Sequence, residues 1–309
     1  MRLITHDGVF HADDVFSTVI LSGLFPDAEI VRTRDPALTC PGEGRVVYDV
    51  GGLYDPESGM FDHHQPGAPV RDDGVPYSSF GLVWARHGRG WLAEALPALG
   101  DDLERVHRMV DRGLVREIDG LDNGVAFPGG ASPVSLPHVI ESFSPDFDDP
   151  SPTAMREGFD DAVALAGRVL RERARTAAAK VRAERLITAV LNDHDGGPVL
   201  ELPFGMPWDR ALRKAKAEHV LLVVVPRADK WTISAVPKRP GEFENRLDLP
   251  EAWAGLTGEA LEAASGIAGA EFCHKGRFYG VAATREGVMR MAEAALAAAP
   301  APDTPPQPG

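Results

Sequence analysis

Three short apolar runs open this chain, and each gives way to a histidine or an aspartate, a regularity that limits the fold more than any other feature. Residues 2–5 read as a strand, and 12–25 as a helix carrying Val15, Val19, Ile20 and Leu24 along one side. Residues 27–31 and 45–50 read as two further strands, the last ended by Gly51-Gly52. Strands alternating with a helix over short connections predict an α/β fold, a parallel sheet with helices on both faces. Ligands gather at the carboxyl ends of such strands. His6, Asp35 and Asp49 stand at or just after those ends.

A length of 309 residues suits two domains. Residues 77–120 read as helices broken near Gly88 and Pro97, and the Pro-, Ser-, Asp- and Gly-rich stretch 128–152 as a surface crossing. A long helix follows from about Thr153, a candidate N-cap, to Leu191. Its middle, 168–185, holds seven basic residues against two glutamates, read as a solvated face laced with i,i+4 pairs or as a surface that greets a polyanion. Beyond it, 220–225 is a buried-strand run with a hairpin partner at 231–236, and a strand pair within 272–281 precedes a helix over 285–298. The expected plan is a catalytic domain over 1–155, a connecting helix over 156–191, a smaller α/β domain over 192–298 and a disordered tail over 299–309.

Hydrophobic residues at 44% and charged residues at 25% are ordinary globular values. No apolar run nears the roughly 18 residues of a membrane span, and the first residues lack the core of a signal peptide, so a cytoplasmic chain with no membrane partner is expected. Two cysteines are too few for a disulfide framework or a cysteine zinc cage. A formal charge of −14 argues against holding nucleic acid by bulk electrostatics. It leaves a polyanionic substrate open, because bound cations neutralise ligand carboxylates. Oligomeric state stays open, a homodimer included.

Four clusters carry the chemistry. The turn after the first strand spaces His6, His11 and Asp13 as His-x4-His-x-Asp, and Asp49 leaves the end of a buried strand. Asp62-His63-His64-Gln65 puts two imidazoles on opposite sides of an extended backbone, so that one binds metal while the other faces a substrate. Asp119 and Asp122 stand three apart near a helix end marked by Asn123-Gly124. Mixed imidazole and carboxylate donors suit hard or borderline divalent cations. The donors outnumber the needs of one ion, whereas two ions about 3.5–4 Å apart use them all and activate a bridging water for phosphoryl displacement.

In that order the motifs resemble the DHH phosphoesterase superfamily. The finer pattern is similar to the melanocyte proliferating gene family: Thr5-His6-Asp7-Gly8-x-Phe10-His11-x-Asp13, Val31-Arg32-Thr33-Arg34-Asp35, Asp49-Val50-Gly51-Gly52-x-Tyr54-Asp55-Pro56, Asp62-His63-His64-Gln65 and Ser78-Ser79-x-Gly81-Leu82. It continues through Val236-Pro237-Lys238, Ser265-Gly266-Ile267 and His274-x-x-x-Phe278 to Thr284-Arg285-Glu286-Gly287. The resemblance implies a 3′–5′ exonuclease acting on RNA or short oligonucleotides with two Mn2+ or Mg2+ ions. It implies that His6, His11 and Asp49 hold one ion, and that Asp13, Asp49, His63 and either Asp119 or Asp122 hold the other. His64, with Asp62 and Asp49, then forms the catalytic set at the scissile phosphate. His11 stands where the wider superfamily has an aspartate, which shifts the site toward softer ions. Substrate phosphates fall to Lys238, Arg239, Arg246, His274, Lys275 and Arg277 of the C-terminal domain, and to Arg32 or Arg34 beside the metals. Two other readings share the ligand set: a phosphoesterase on dinucleotides, cyclic dinucleotides or pyrophosphate, and a metal-stabilised nucleotide-binding module without catalysis.

Overall fold

The computed structural model describes residues 1–125, 134–148, 151–240, 242 and 244–299. The tail expected over 299–309 therefore lies almost wholly outside the described residues, as does part of the crossing at 128–152. The chain forms two compact units, Met1–Val181 and Arg182–Gly309.

The first unit begins with β1 (Arg2–Thr5), α1 (Ala12–Leu24), β2 (Glu29–Arg32) and β3 (Arg45–Tyr48), and a short pair, β4 (Tyr54–Asp55) and β5 (Met60–Phe61), follows. The five strands join in the order β2-β1-β3-β5-β4. All neighbours are parallel except β4, which runs antiparallel to β5. Every residue of α1 from Ala12 to Leu21 is buried. Such a helix has no solvent face and must sit between layers. It packs on the sheet through Leu3, Val46, Tyr48 and Phe61, and on α2 (Ser79–Ala95) through Phe16 stacked on Phe80 at 4.9 Å. Thr18, buried in the middle of α1, is satisfied by the Asp14 carbonyl at 2.8 Å and the Tyr48 hydroxyl at 2.7 Å. On the other face Ile4, Val47, Val50 and Met60 form a smaller cluster, with Leu38 from the turn after β2 packed against it.

The helix α2 runs unbroken through Gly88, contrary to the sequence expectation. A Cβ there would come within 2.6 Å of the Trp84 ring, so the glycine makes room for the indole one turn earlier. The break falls at Leu96-Pro97, where proline excludes the helical conformation of the residue before it. Next, α3 (Leu103–Val110) passes through a π-turn at Asp111–Val115 into α4 (Arg116–Asp122), and α5 (Leu136–Glu141) follows.

Asp119, expected as one of two alternatives for a metal ligand, is instead a structural anchor. Its side chain is fully buried and accepts from Arg71 Nε at 2.9 Å and Nη2 at 2.6 Å. It accepts further from Ser78 Oγ at 2.7 Å and the Gly81 amide at 3.0 Å. A Cβ on Gly81 would lie 2.2 Å from the Asp119 carboxylate, which explains a glycine inside α2. Burial pushes the Asp119 carboxyl up to about 6, with Arg71 and Ser78 opposing the rise, so it is ionised at neutral pH. Arg71 also grips Asp111 of the π-turn with two hydrogen bonds of 2.9 Å and lies over the Tyr77 ring at 4.4 Å.

The helix α6 (Pro152–Asn192) begins one residue before the candidate cap Thr153, and the capping falls to Ser151, whose Oγ accepts from the Ala154 amide at 3.1 Å. Its buried residues Phe159, Ala162, Ala166, Leu170, Ala174 and Val181 belong to the core of the first unit, whereas Ala183 and Ile187 belong to that of the second. Arg171, Arg173, Arg175 and Lys180 are exposed, as both readings of this stretch require.

The second unit adds β6 (Val199–Glu201), α7 (Asp209–Lys214), β7 (Leu222–Arg227), β8 (Lys230–Ala235), α8 (Gly258–Ser265), β9 (Ala270–Cys273), β10 (Tyr279–Ala282) and α9 (Arg285–Ala297). Its sheet has the order β6-β7-β8-β10-β9, with only β6 and β7 parallel among the described strands. The run 220–225 is apolar without alternation because both faces are covered. Leu222 and Val224 join the cluster of Leu261, Val288 and Met291 from α8 and α9, and Val223 joins that of Ile187 and Leu212 from α6 and α7.

Breaking the anchor leaves a carboxylate buried without its counter-charge. Arg71→Ala is expected to lower the unfolding free energy of the N-terminal unit by about 3–5 kcal/mol in urea denaturation. Arg71→Lys is expected to recover only part of it, since one ammonium cannot serve two carboxylates bidentately.

Candidate metal centre

Each donor at the centre is placed by an element end. The chain leaves β1 at Thr5, and His6 follows directly. Gly8, at φ +85°, reverses the backbone so that His11 opens α1. The His11 amide donates to Asp14 Oδ1 at 2.9 Å, which fixes the first turn of the helix. Asp13 and Asp14 occupy that turn, where the helix dipole favours anionic groups. Asp49 leaves β3 in the left-handed region, at φ +56°. Of the non-glycine residues, aspartate and asparagine adopt it most readily. Gly51 follows at φ +101°, where a Cβ would stand 2.4 Å from the Thr39 carbonyl oxygen. The loop beyond β5 supplies His63, and α4 ends on Asp122.

These segments meet around Asp49. His6 Nε2 lies 3.2 Å from Asp49 Oδ2, and His63 Nε2 lies 3.3 Å from Oδ1. His63 Nε2 is also 3.6 Å from Asp13 Oδ2 and 3.4 Å from Asp122 Oδ2. Two donor groups result, His6-His11-Asp49 and Asp13-His63-Asp122, and within each the donor atoms fall within 4.8 Å of one another. Asp49 also groups with Asp13 and Asp14, and with His63 and His64. Of the two fourth-motif aspartates, Asp122 is the one brought to the cluster.

Sequence reasoning missed Asp14. It is fully buried, 3.5 Å from His6 Nε2, and part of the cluster. The signal available was the spacing from His11, three residues to an acid at a helix start, which marks a capping pair.

The electrostatics of the cluster are those of carboxylates crowded out of water. Burial and the neighbouring charges of Asp49 and Asp122 push Asp13 well above its ordinary range. Burial and Asp49 push Asp14 up to about 7, and burial raises Asp122. Asp49 goes the other way: burial opposes its ionisation, but His6 and His63 outweigh it and hold the carboxyl low. Burial disfavours charge on His6 and His63, yet the facing carboxylates raise both.

The residues fit divalent cations on three counts. Asp13 Oδ1 and Asp14 Oδ2 are buried without a hydrogen-bond partner, and Asp49 Oδ1 makes none despite its contact with His63. Buried polar oxygens are ordinarily satisfied. His6 Nδ1 lies 2.9 Å from the Asp7 carbonyl, to which it donates, leaving the Nε2 lone pair turned to the cluster. The four carboxylate charges of Asp13, Asp14, Asp49 and Asp122 are matched by two divalent cations. His6, His11 and Asp49 would hold one ion, and Asp13, Asp49, His63 and Asp122 the other.

A cavity of about 590 Å3 opens on the cluster, lined by His6, His11, Asp49, Asp122, His64 and Arg34 among others. His64 is 63% exposed, and its Nδ1 lies 2.8 Å from Asp62 Oδ1. Asp62 also accepts from the Gly52 amide at 2.5 Å and the His63 amide at 2.8 Å. Burial opposes ionisation of Asp62, but these donors prevail and hold it low; in return Asp62 raises His64. Asp62 therefore positions His64 and stands outside the donor groups. Arg34 reaches the cavity, tethered to Asp7 Oδ1 at 3.3 Å. Arg32 does not line it: its Nη2 donates to the Gly8 carbonyl at 2.6 Å and its guanidinium lies 4.5 Å over the Phe159 ring.

In the second unit, most of the six basic groups singled out as phosphate contacts have protein partners of their own, Arg239 with Glu242 at 3.5 Å among them. Lys238 pairs with Glu244, Arg277 with Asp248 at 3.0 Å, and Arg246 donates to the Ala217 and Val220 carbonyls at 2.8 and 2.9 Å. The last is a correction, since Arg246 ties off backbone carbonyls. His274 Nδ1 accepts from the Gly276 amide at 3.0 Å, and its ring lies 4.4 Å from Phe278.

Known proteins resemble this chain over nearly its whole length. The family model MYG1_exonuc, described as an uncharacterised protein family (UPF0160), matches residues 2–296. The chain is 32% identical to the MYG1 exonuclease of Mus musculus over 97% of its own length and 86% of that protein. It is 32% identical to the human MYG1 exonuclease, over 96% of the chain and 86% of the relative. The identity is also 32% to a MYG1 protein of Schizosaccharomyces pombe, over 96% and 97% of the two chains. Among solved structures, RecJ of Thermus thermophilus with Mg2+ aligns with 98% of this chain and 50% of its own, at 18% identity and a TM-score of 0.28. A superposition that loose adds nothing to the assignment, which stands on the family match and the relatives. The chain belongs to the MYG1 exonuclease family.

Proposed function

We propose that this chain is a divalent-metal-dependent phosphodiesterase that removes nucleotides from the 3′ end of RNA or short oligonucleotides. One observation carries the reading: Asp49 turns one oxygen to His6 of the first donor group and the other to His63 of the second. Two divalent ions in such groups supply water activation and charge neutralisation for an in-line displacement at phosphorus. The remaining work falls to the chain. Asp62 holds His64 by Nδ1, which leaves Nε2 toward the cavity. The raised His64 is cationic over more of the neutral range than a free imidazole, and its N–H donates to a phosphate oxygen. Arg34 offers a second cation at the same cavity. The names of the mouse and human relatives support exonuclease action.

Short substrates suit the chain better than long ones. A long strand gains affinity by many phosphate contacts, and a net charge of −14 offers little for them.

With Mn2+ the full chain is expected to release nucleoside monophosphates from a 5′-labelled RNA, shortening it from the 3′ end, and to turn over dimers at least as well as twenty-mers. Release from the 5′ end, or none beside an active control, overturns the reading. His64→Ala is expected to lower kcat by about 10²–10³, the loss typical of one donor to a developing oxyanion, while Mn2+ binding by calorimetry persists. Asp49→Asn keeps the backbone and removes the charge. Wild type is expected to gain about 2.7 kcal/mol of thermal stability at Mn2+ a hundredfold above its Kd, and Asp49→Asn to lose that gain.

A further inference from the structure

The turn that separates the donors His6 and His11 has a second side. Its residues Asp7, Gly8 and Val9 line another cavity, of about 1100 Å3, together with Arg32, Phe159 and Phe147. The two cavities meet at one ion pair: Arg34 lines the first, Asp7 the second, and their side chains stand 3.3 Å apart. A strand end lying across the metal centre would therefore pass over the Arg34–Asp7 bridge into this second space.

The lining selects what enters. Phe147 is 95% exposed and Val9 56% exposed, an apolar rim left in water. Arg32 is held flat on Phe159 and by the Gly8 carbonyl, and its Nε is buried without an acceptor. Arg32 and Arg156 bring two cations to the lining against the four carboxylates of Asp7, Glu29, Asp146 and Asp160, an excess that repels a phosphate and accepts from an amine. A planar ligand with apolar faces, an amine on its edge and no negative charge answers all of these.

We propose that this cavity is a nucleobase subsite: the base neighbouring the phosphate at the metal centre stacks on Phe147, with its exocyclic amine toward the carboxylates of the lining. The proposal rests on the phosphodiesterase reading for its place in a reaction, but its binding test needs no activity. Phe147 is so exposed that Phe147→Ala leaves the fold intact. The full chain without added metal is expected to quench the fluorescence of 2-aminopurine riboside saturably, and Phe147→Ala to weaken that binding five-fold or more, the loss expected from one base–aromatic stack. In the metal-loaded chain, Phe147→Ala is expected to lower kcat/KM on a short RNA by a similar factor. Absence of nucleoside binding, or equal binding by Phe147→Ala, overturns the subsite whatever the activity. Saturable uptake of an apolar dye without the nucleoside marks a protein-docking surface and overturns it too. Nucleoside binding in a chain that does not hydrolyse the RNA sinks the catalytic reading and leaves the base site standing.

Discussion

The centre depends on one carboxylate held between two imidazoles. Asp49 presents one oxygen to His6 and the other to His63, and these contacts keep it ionised while burial drives Asp13, Asp14 and Asp122 toward protonation. That split requires the Asp49 side chain to project from the strand end into the cluster, which a left-handed backbone achieves. The turn that follows leaves no choice of residue at Gly51, whose Cβ would strike the Thr39 carbonyl. Local backbone strain is tolerated where the surroundings over-determine it. Here the surroundings are the buried strand β3 on one side and the Gly52 amide, bound to Asp62, on the other.

The second requirement is that Asp122 arrive at the cluster from a helix about sixty residues downstream of His63. Its position follows from an ionic anchor one turn earlier. Asp119 is clasped by Arg71, Ser78 and Gly81, which join α4 to the start of α2, while the next residue of that start, Ser79, sends its amide to Asp13 Oδ2 at 3.3 Å. A single dipeptide, Ser78-Ser79, thus serves both the anchor and a metal donor. The buried ion pair is costly to desolvate, and its use here is geometric: it fixes the end of α4 relative to the loop that bears His63.

Much of this was legible in the sequence because strand ends and helix starts are marked locally. The runs at 2–5 and 45–48, the turn glycines at Gly8 and Gly51, and the spacing His6-x4-His11-x-Asp13 are all short-range signals, and the structure forms the elements they announce. Where the reading fails, the deciding contact is distant. Asp119 and Asp122 look alike in sequence, and only Arg71, 48 residues away, tells anchor from donor. Gly88 carries the mark of a breaker, and only the Trp84 ring explains why it is none. Arg246 reads as a free cation until the Ala217 and Val220 carbonyls are set against it. Asp14 escapes notice because its capping bond to His11 is local while its approach to His6 is tertiary.

The acidity of the chain takes its meaning from the same cluster. Four of its carboxylates are gathered at one point, where two divalent cations would restore neutrality and turn a repulsive cluster into one that attracts a phosphate. The middle of α6 is a basic exception in this acidic chain, with Arg171, Arg173, Arg175 and Lys180 exposed and Arg175 paired to Glu172 at 2.7 Å. At the centre itself, attraction for a phosphodiester would rest on bound cations and on Arg34. An enzyme built this way draws its binding energy from the scissile group and from whatever neutral surface lies beside it, so apolar walls next to the metals matter more than basic ones further off.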